Sequence, residues 1–210
     1  VNFFNQPYLA DKIELGATLA VFGKWDRAKA SLTGMKILAQ VEDDLQPVYR
    51  LAHQDMPVDA LCEWIRASAS MPLVSRVVEI EGRKLLDGGV SDSIPLRYFQ
   101  QQGYQRNLVI LTQPRDYVKQ PTAFMPLMRL SLRHYPNMIA ALANRHVMYN
   151  AQLRYVEAQE KLGHTLVLAP EEKLPISHTS HNPKQMQQVY AIGRKQGLEH
   201  LERIKAFVKG

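Results

Sequence analysis

Two-residue alternation dominates the start of this chain, and helical spacing dominates the rest. Val1–Phe4 is a short β-type run broken by Asn5-Gln6-Pro7, and Tyr8–Leu15 reads as one helical turn ending at Gly16. Ala17–Gly23 and Gly34–Val41 (GMKILAQV) alternate as strands do, with Arg27–Ser31 as a polar hairpin connection between them. Pro47-Val48-Tyr49 begins a further extended piece. The front of the chain therefore predicts an all-β segment.

From Pro57 the period changes. Pro57–Ser70 fits a helix with Leu61, Ile65 and Trp64 toward one face, and Arg76–Ile80 with Arg83–Leu86 predicts a hairpin turning at Glu81-Gly82. Leu108–Thr112 (LVILT) is an apolar run suited to a strand buried on both faces, and Thr165–Ala169 is a second such strand. Asn137–Lys161 predicts a long helix with Met138, Leu142, Tyr149, Leu153 and Val156 on one stripe and Gly163 as its stop. Asn182 and Pro183 form an N-cap and first-turn pair for a last helix carrying Met186, Tyr190, Leu201, Ile204 and Val208. Strands alternating with long helices predict an α/β layered sheet in this part.

Composition narrows the class without naming a function. The chain has 46% hydrophobic and 22% charged residues, an ordinary globular balance. No apolar run approaches the roughly 18 residues that span a bilayer. A single cysteine, Cys62, excludes an internal disulfide framework and predicts a reducing, cytoplasmic setting. The opening at Val1 inside a strand-like run predicts that a segment precedes it. Residues 1–52 balance Lys12, Lys24, Arg27, Lys29, Lys36 and Arg50 against Asp11, Glu14, Asp26, Glu42, Asp43 and Asp44, so the net charge of +6 lies wholly in residues 53–210.

The sharpest local chemistry is Leu85-Leu86-Asp87-Gly88-Gly89. An apolar strand delivers one carboxylate, and two glycines then permit a tight turn with close backbone approach. Such an aspartate can act as base toward a hydroxyl within hydrogen-bond reach; Asp-Gly is equally a common turn pair. Ser68, Ser70, Ser91 and Ser93 lie near Gly and Pro, where serine ordinarily serves turn chemistry. No serine has glycine at both −2 and +2. His134, His146, His164, His178 and His181 match no familiar metal-ligand spacing, so neither metal nor cofactor is implied. Met125, Met128, Met138 and Met148 interleave with Arg129, Arg133, His134 and Arg145. Core methionines with solvated arginines is one reading of that pattern, and contact with lipid head groups or acyl chains is the other.

Residues Arg66–Pro95 (RASASMPLVSRVVEIEGRKLLDGGVSDSIP) resemble the second catalytic motif of bacterial patatin-like phospholipases. Ala69, Ser70 and Pro72 fill an ASxxxP-like segment, a hairpin follows, and Asp87-Gly88-Gly89 fills the last part. Leu174-Pro175-Ile176-Ser177 and Asn182–Gly193 also resemble the end of that family. The resemblance implies that residues 53–210 are the C-terminal part of an α/β lipid acyl hydrolase, with Asp87 as general base of a Ser–Asp dyad and a lipid or other ester as substrate. The serine turn (Gly-x-Ser-x-Gly) and the oxyanion loop of that mechanism do not occur in these residues, so negligible turnover is expected. Losing a triad serine costs about a million-fold in subtilisin.

The front segment resembles something else. Phe3-Phe4-Asn5-Gln6-Pro7-Tyr8-Leu9, Gly16, Val21-Phe22-Gly23-Lys24-Trp25 and Pro47-Val48-Tyr49 are similar to the wedge domain of RecG branch-migration helicases, an OB-fold. That resemblance implies a partial OB-fold over residues 1–52 and DNA as a partner, with Phe4, Tyr8 and Trp25 as stacking platforms or as barrel core. No phosphate-binding Gly-x-x-x-x-Gly-Lys-Ser/Thr loop is present. The fold expectation is thus an incomplete patatin-like α/β sheet behind a partial all-β segment, joined near Leu51–His53. The functional alternatives to an acyl hydrolase are a nucleic-acid-binding fragment and a non-catalytic fusion.

Overall fold

The computed structural model describes residues 22–26, 31–40, 47–52, 56–177, 180 and 182–209, with the backbone alone for 22–26 and 31–40. It divides into two units. One takes in Ala20–Ile94 and Lys119–Gln152; the other takes in Pro95–Val118 and Leu153–Gly210.

The first unit is organised by five antiparallel strands: β1 (Phe22–Asp26), β2 (Ser31–Gln40), β3 (Pro47–Leu51), β4 (Val78–Ile80) and β5 (Arg83–Asp87). β2 carries β1 and β3 on opposite edges, and beyond β1 its C-terminal end takes β5, with Leu38 opposite Asp87. The described strands of the front segment therefore share one sheet with the hairpin β4–β5. That hairpin turns at Glu81 (φ 53°) and Gly82 (φ 73°), the type I′ geometry that matches strand twist. The expected strand Ala17–Gly23 and turn Arg27–Ser31 lie largely outside the described residues, as do the features expected over Val1–Gly16.

Because successive side chains on a strand point to opposite faces, β5 anchors two clusters. Leu85 joins Trp64, Ala67 and Val78, with Trp64 and Ala67 supplied by α1 (Val58–Ser68). Leu86 joins Val90, Leu132, Met138 and Leu142, with Met125 and Met128 packed against them. These last residues come from α3 (Met125–Ser131) and α4 (Pro136–Lys161), or lie just beyond α3. Helices therefore cover both faces of β5, as an α/β arrangement requires.

The second unit holds α2 (Leu96–Gln101), the parallel pair β6 (Asn107–Ile110) and β7 (Thr165–Leu168), the C-terminal part of α4, α5 (Pro183–Glu199) and α6 (Leu201–Lys209). All of β7 is buried, whereas β6 alternates and exposes Ile110. The expectation of burial on both faces thus holds for one strand of the pair. Met138, Leu142, Tyr149, Leu153 and Val156 are all buried along α4, which continues to Lys161; Gly163 follows at φ 77°. Asn182 caps α5 by accepting from the Lys184 N–H at 3.0 Å, but the last helix is two: α5 ends at Glu199 and α6 starts after His200.

Candidate active site

Asp87 is the last residue of β5, paired opposite Leu38 at the point where the chain leaves the sheet. Leu85 and Leu86 before it are fully buried, which fixes where the strand ends and where the carboxylate starts. The Asp87 N–H donates to the Ser70 carbonyl at 2.8 Å, just after α1. Its Oδ1 accepts from the Gly89 N–H at 2.7 Å, capping a single 3-10 turn over Gly88–Val90. A short Asp side chain bonded two residues ahead is the ordinary Asx turn, and here it aims the carboxylate along the turn. No donor among the described residues reaches Oδ2.

Gly89 is required by close approach. A Cβ built there lies 2.9 Å from Asp87 Oδ1 and 3.1 Å from an Arg145 guanidinium nitrogen. Arg145 reaches the turn from α4, and its Nε donates to the Gly89 carbonyl at 2.7 Å. Burial pushes the Asp87 carboxyl above its ordinary range, outweighing the Gly89 N–H and the Arg145 charge that pull it down. A raised carboxylate is a better base toward a hydroxyl than an ordinary one.

A second carboxylate follows on the same turn. Asp92 Oδ1 accepts from Gln152 Nε2 at 2.5 Å, its Oδ2 accepts from the Tyr49 hydroxyl, and Gln152 Oε1 accepts from the Ile94 N–H at 2.9 Å. Burial raises Asp92 as well, against the opposing pull of Tyr49 and Gln152. Lys119 lies in the same unit. Its backbone pairs twice with the Asn150 amide, at 2.9 and 3.0 Å, and its Nζ sits 5.2 Å from the Tyr149 ring centroid. Burial first, and then the Arg145 charge, lower its pKa.

Gly88 and Gly89 form the turn, and Ser70 of the ASxxxP-like segment meets Asp87 through its backbone. The hydroxyls of Ser70, Ser91 and Ser93 donate to the carbonyls of Arg66, Gly88 and Gly89, at 2.7, 3.4 and 2.7 Å. They serve local turns, and none is bonded to Asp87. Phe4 and Tyr8 lie outside the described residues, as do His178 and His181, while Trp25 stands in β1, where only the backbone is described. No grouping of three or more His, Cys, Asp or Glu side chains suited to a metal occurs among the described residues. His146 Nδ1 is buried without a hydrogen-bond partner among the described residues.

The sequence named Arg145 only among the basic residues interleaved with methionines and did not single out Gln152; their roles at this turn were missed. Both sit on the buried stripe of α4, between Leu142, Tyr149 and Val156, seven positions apart. A cation and an amide interrupting an apolar stripe at that interval were the available signal.

A family model described as patatin-like phospholipase matches residues 2–99, and a second, a domain of unknown function (DUF6363), matches residues 135–209. The ATP-dependent DNA helicase RecG of Streptococcus pneumoniae is 68% identical over 87 residues, 41% of this chain and 13% of that protein. RecG of Staphylococcus aureus is 45% identical over 58 residues, 23% of this chain and 8% of its own. RecG of Staphylococcus epidermidis is 41% identical over 54 residues, again 23% and 8%. The chain therefore spans a small fraction of the curated relatives it matches, and it joins a patatin-like stretch to a RecG-like one. No described helix is long and apolar enough to cross a membrane.

Proposed function

We propose that residues 53–210 are the aspartate-bearing part of a patatin-like lipid acyl hydrolase, in which Asp87 is the general base of a Ser–Asp dyad. The observation that carries this reading is the Asp87 carboxylate itself. It is largely buried, accepts the Gly89 N–H at Oδ1, is set beside the Arg145 guanidinium, and has no donor to Oδ2 among the described residues. A serine hydroxyl brought to Oδ2 would pass its proton there while its oxygen attacks the ester carbonyl, and Arg145 would stabilise the turn that holds the base. These 210 residues contain no Gly-x-Ser-x-Gly turn, so the chain by itself turns over esters negligibly.

The test joins the serine-bearing segment of a patatin-like phospholipase upstream of the chain and follows hydrolysis of a carboxylic ester. The expected result is background turnover by the chain alone, gain of turnover on joining, and its loss in Asp87→Asn. Turnover that survives Asp87→Asn sinks the reading.

The RecG similarity favours a second reading, in which residues 1–52 bind branched DNA through Phe4, Tyr8 and Trp25 of a partial OB-fold. Binding of a DNA junction that weakens steeply with salt, and is lost on Trp25→Ala, supports it. Junction binding unaffected by that change removes it.

A further inference from the structure

We propose that the outward face of α3 is a docking surface for an anionic lipid bilayer. This short helix is apolar on two sides. Met125 and Met128, with Leu132 just after it, pack inward against the cluster of Leu86, Val90, Met138 and Leu142. Opposite them Leu127 is 55% exposed and Leu130 70%, and Phe124, one residue before the helix, is 66% exposed. A helix that is hydrophobic all round is ordinarily covered on every side, and three large apolar side chains recurring every third residue on an open face mark a contact surface.

The charge around this face selects the partner. From Tyr117 to Val156 the sequence contains no Asp or Glu, while it carries Lys119, Arg129, Arg133, Arg145 and Arg154. Arg145 is engaged at the Gly89 turn, but Arg129 and Arg133 are exposed beside the apolar face. Apolar side chains with arginines at their rim fit the boundary between head groups and acyl chains, where each cation near an anionic leaflet adds attraction. A nucleic-acid backbone would use the arginines and leave Phe124, Leu127 and Leu130 without a role.

The inference deepens the proposed hydrolase reading by naming the surface that meets the lipid. It is tested by binding alone, so it can fail while Asp87 chemistry stands. The full chain is floated with vesicles of phosphatidylcholine, and separately with vesicles in which part is replaced by phosphatidylserine. Two variants, Leu127→Glu/Leu130→Glu and Arg129→Glu/Arg133→Glu, are compared with it after circular dichroism shows the same fold. The expected result is flotation with the phosphatidylserine vesicles, weakened by salt and reduced on the order of ten-fold in each variant. No flotation, equal flotation with phosphatidylcholine alone, or variants that float as well as the unchanged chain overturns the proposal. Binding that duplex DNA displaces, and that the leucine variant leaves intact, assigns the surface to nucleic acid and overturns it too. Should a variant misfold, the salt and lipid dependence of the unchanged chain still decides.

Discussion

The Ser70 carbonyl accepts the Asp87 N–H at 2.8 Å, so the end of α1 and the end of β5 are fastened at the residue that carries the chemistry. Seventeen positions separate the two in sequence, with the hairpin β4–β5 between them. That bond fixes the backbone from which the carboxylate projects, and Oδ1 is then fixed by the Gly89 N–H. The two halves of the motif act as one support.

Gly89→Ala tests how tightly that support is built. The added methyl meets Asp87 Oδ1 and Arg145 together, and neither can retreat without losing its hydrogen bond to residue 89. Overpacking of this kind costs about 1–3 kcal/mol. Urea denaturation should show the loss, and the Asp87 carboxyl carbon signal should shift. An unchanged midpoint would mean that the turn is looser than its distances state.

The hairpin, α1, the α4 stripe and the Asn182 cap were legible because each rests on local chemistry: period, a Gly at positive φ, a side chain bonding its own backbone. The break after Glu199 was not legible, since Leu198, Leu201, Ile204 and Val208 continue a helical pattern across it. Ile110 was read as buried because an apolar run does not say how many neighbours a strand has, and among the described residues β6 pairs only with β7. Asp87 stood out through its glycines. Arg145 and Gln152 did not, because their importance depends on what α4 packs against, which lies more than fifty residues away in sequence.

Acidification separates Asp87 from an ordinary surface carboxylate. Burial raises its pKa, so the fold favours the protonated form. The stability linked to that proton is fully present below the ordinary value of 3.8 and is lost as pH rises through the raised folded value. Asp87→Asn, which never ionises, should therefore melt higher than the unchanged chain at neutral pH, and the gap should close toward pH 3.8. Melting curves across that range check it; a gap that stays constant with pH would assign the effect to packing.

Gln152 offers a pair of substitutions with different signatures. Gln152→Ala leaves the Ile94 N–H without its side-chain acceptor and removes one donor from Asp92, which together cost about 1–3 kcal/mol, somewhat more where Asp92 is ionised. Gln152→Glu keeps an acceptor for Ile94 but sets two carboxylates face to face. It should be tolerated in acid, where one proton can be shared, and destabilised increasingly as pH rises and both must ionise. Parallel pH dependences for the two variants would show that Asp92 is not the partner that matters.

The hairpin turn is a place where the chain can be improved. Glu81 holds φ 53°, a left-handed conformation that Asn adopts more readily and that type I′ turns favour at this position. Against the change stands the Arg50–Glu81 ion pair, at 3.3 Å between side chains that are 44% and 56% exposed. Exposed pairs of this kind contribute at most about 1 kcal/mol and often nothing measurable, and added salt screens them. Glu81→Asn should therefore be neutral or slightly stabilising at low salt and clearly stabilising at high salt, where the lost ion pair no longer counts. Denaturant midpoints at the two salt concentrations decide between turn and ion pair. A variant that is weaker at both would place the energy of this corner in Arg50 and Glu81, not in the backbone between them.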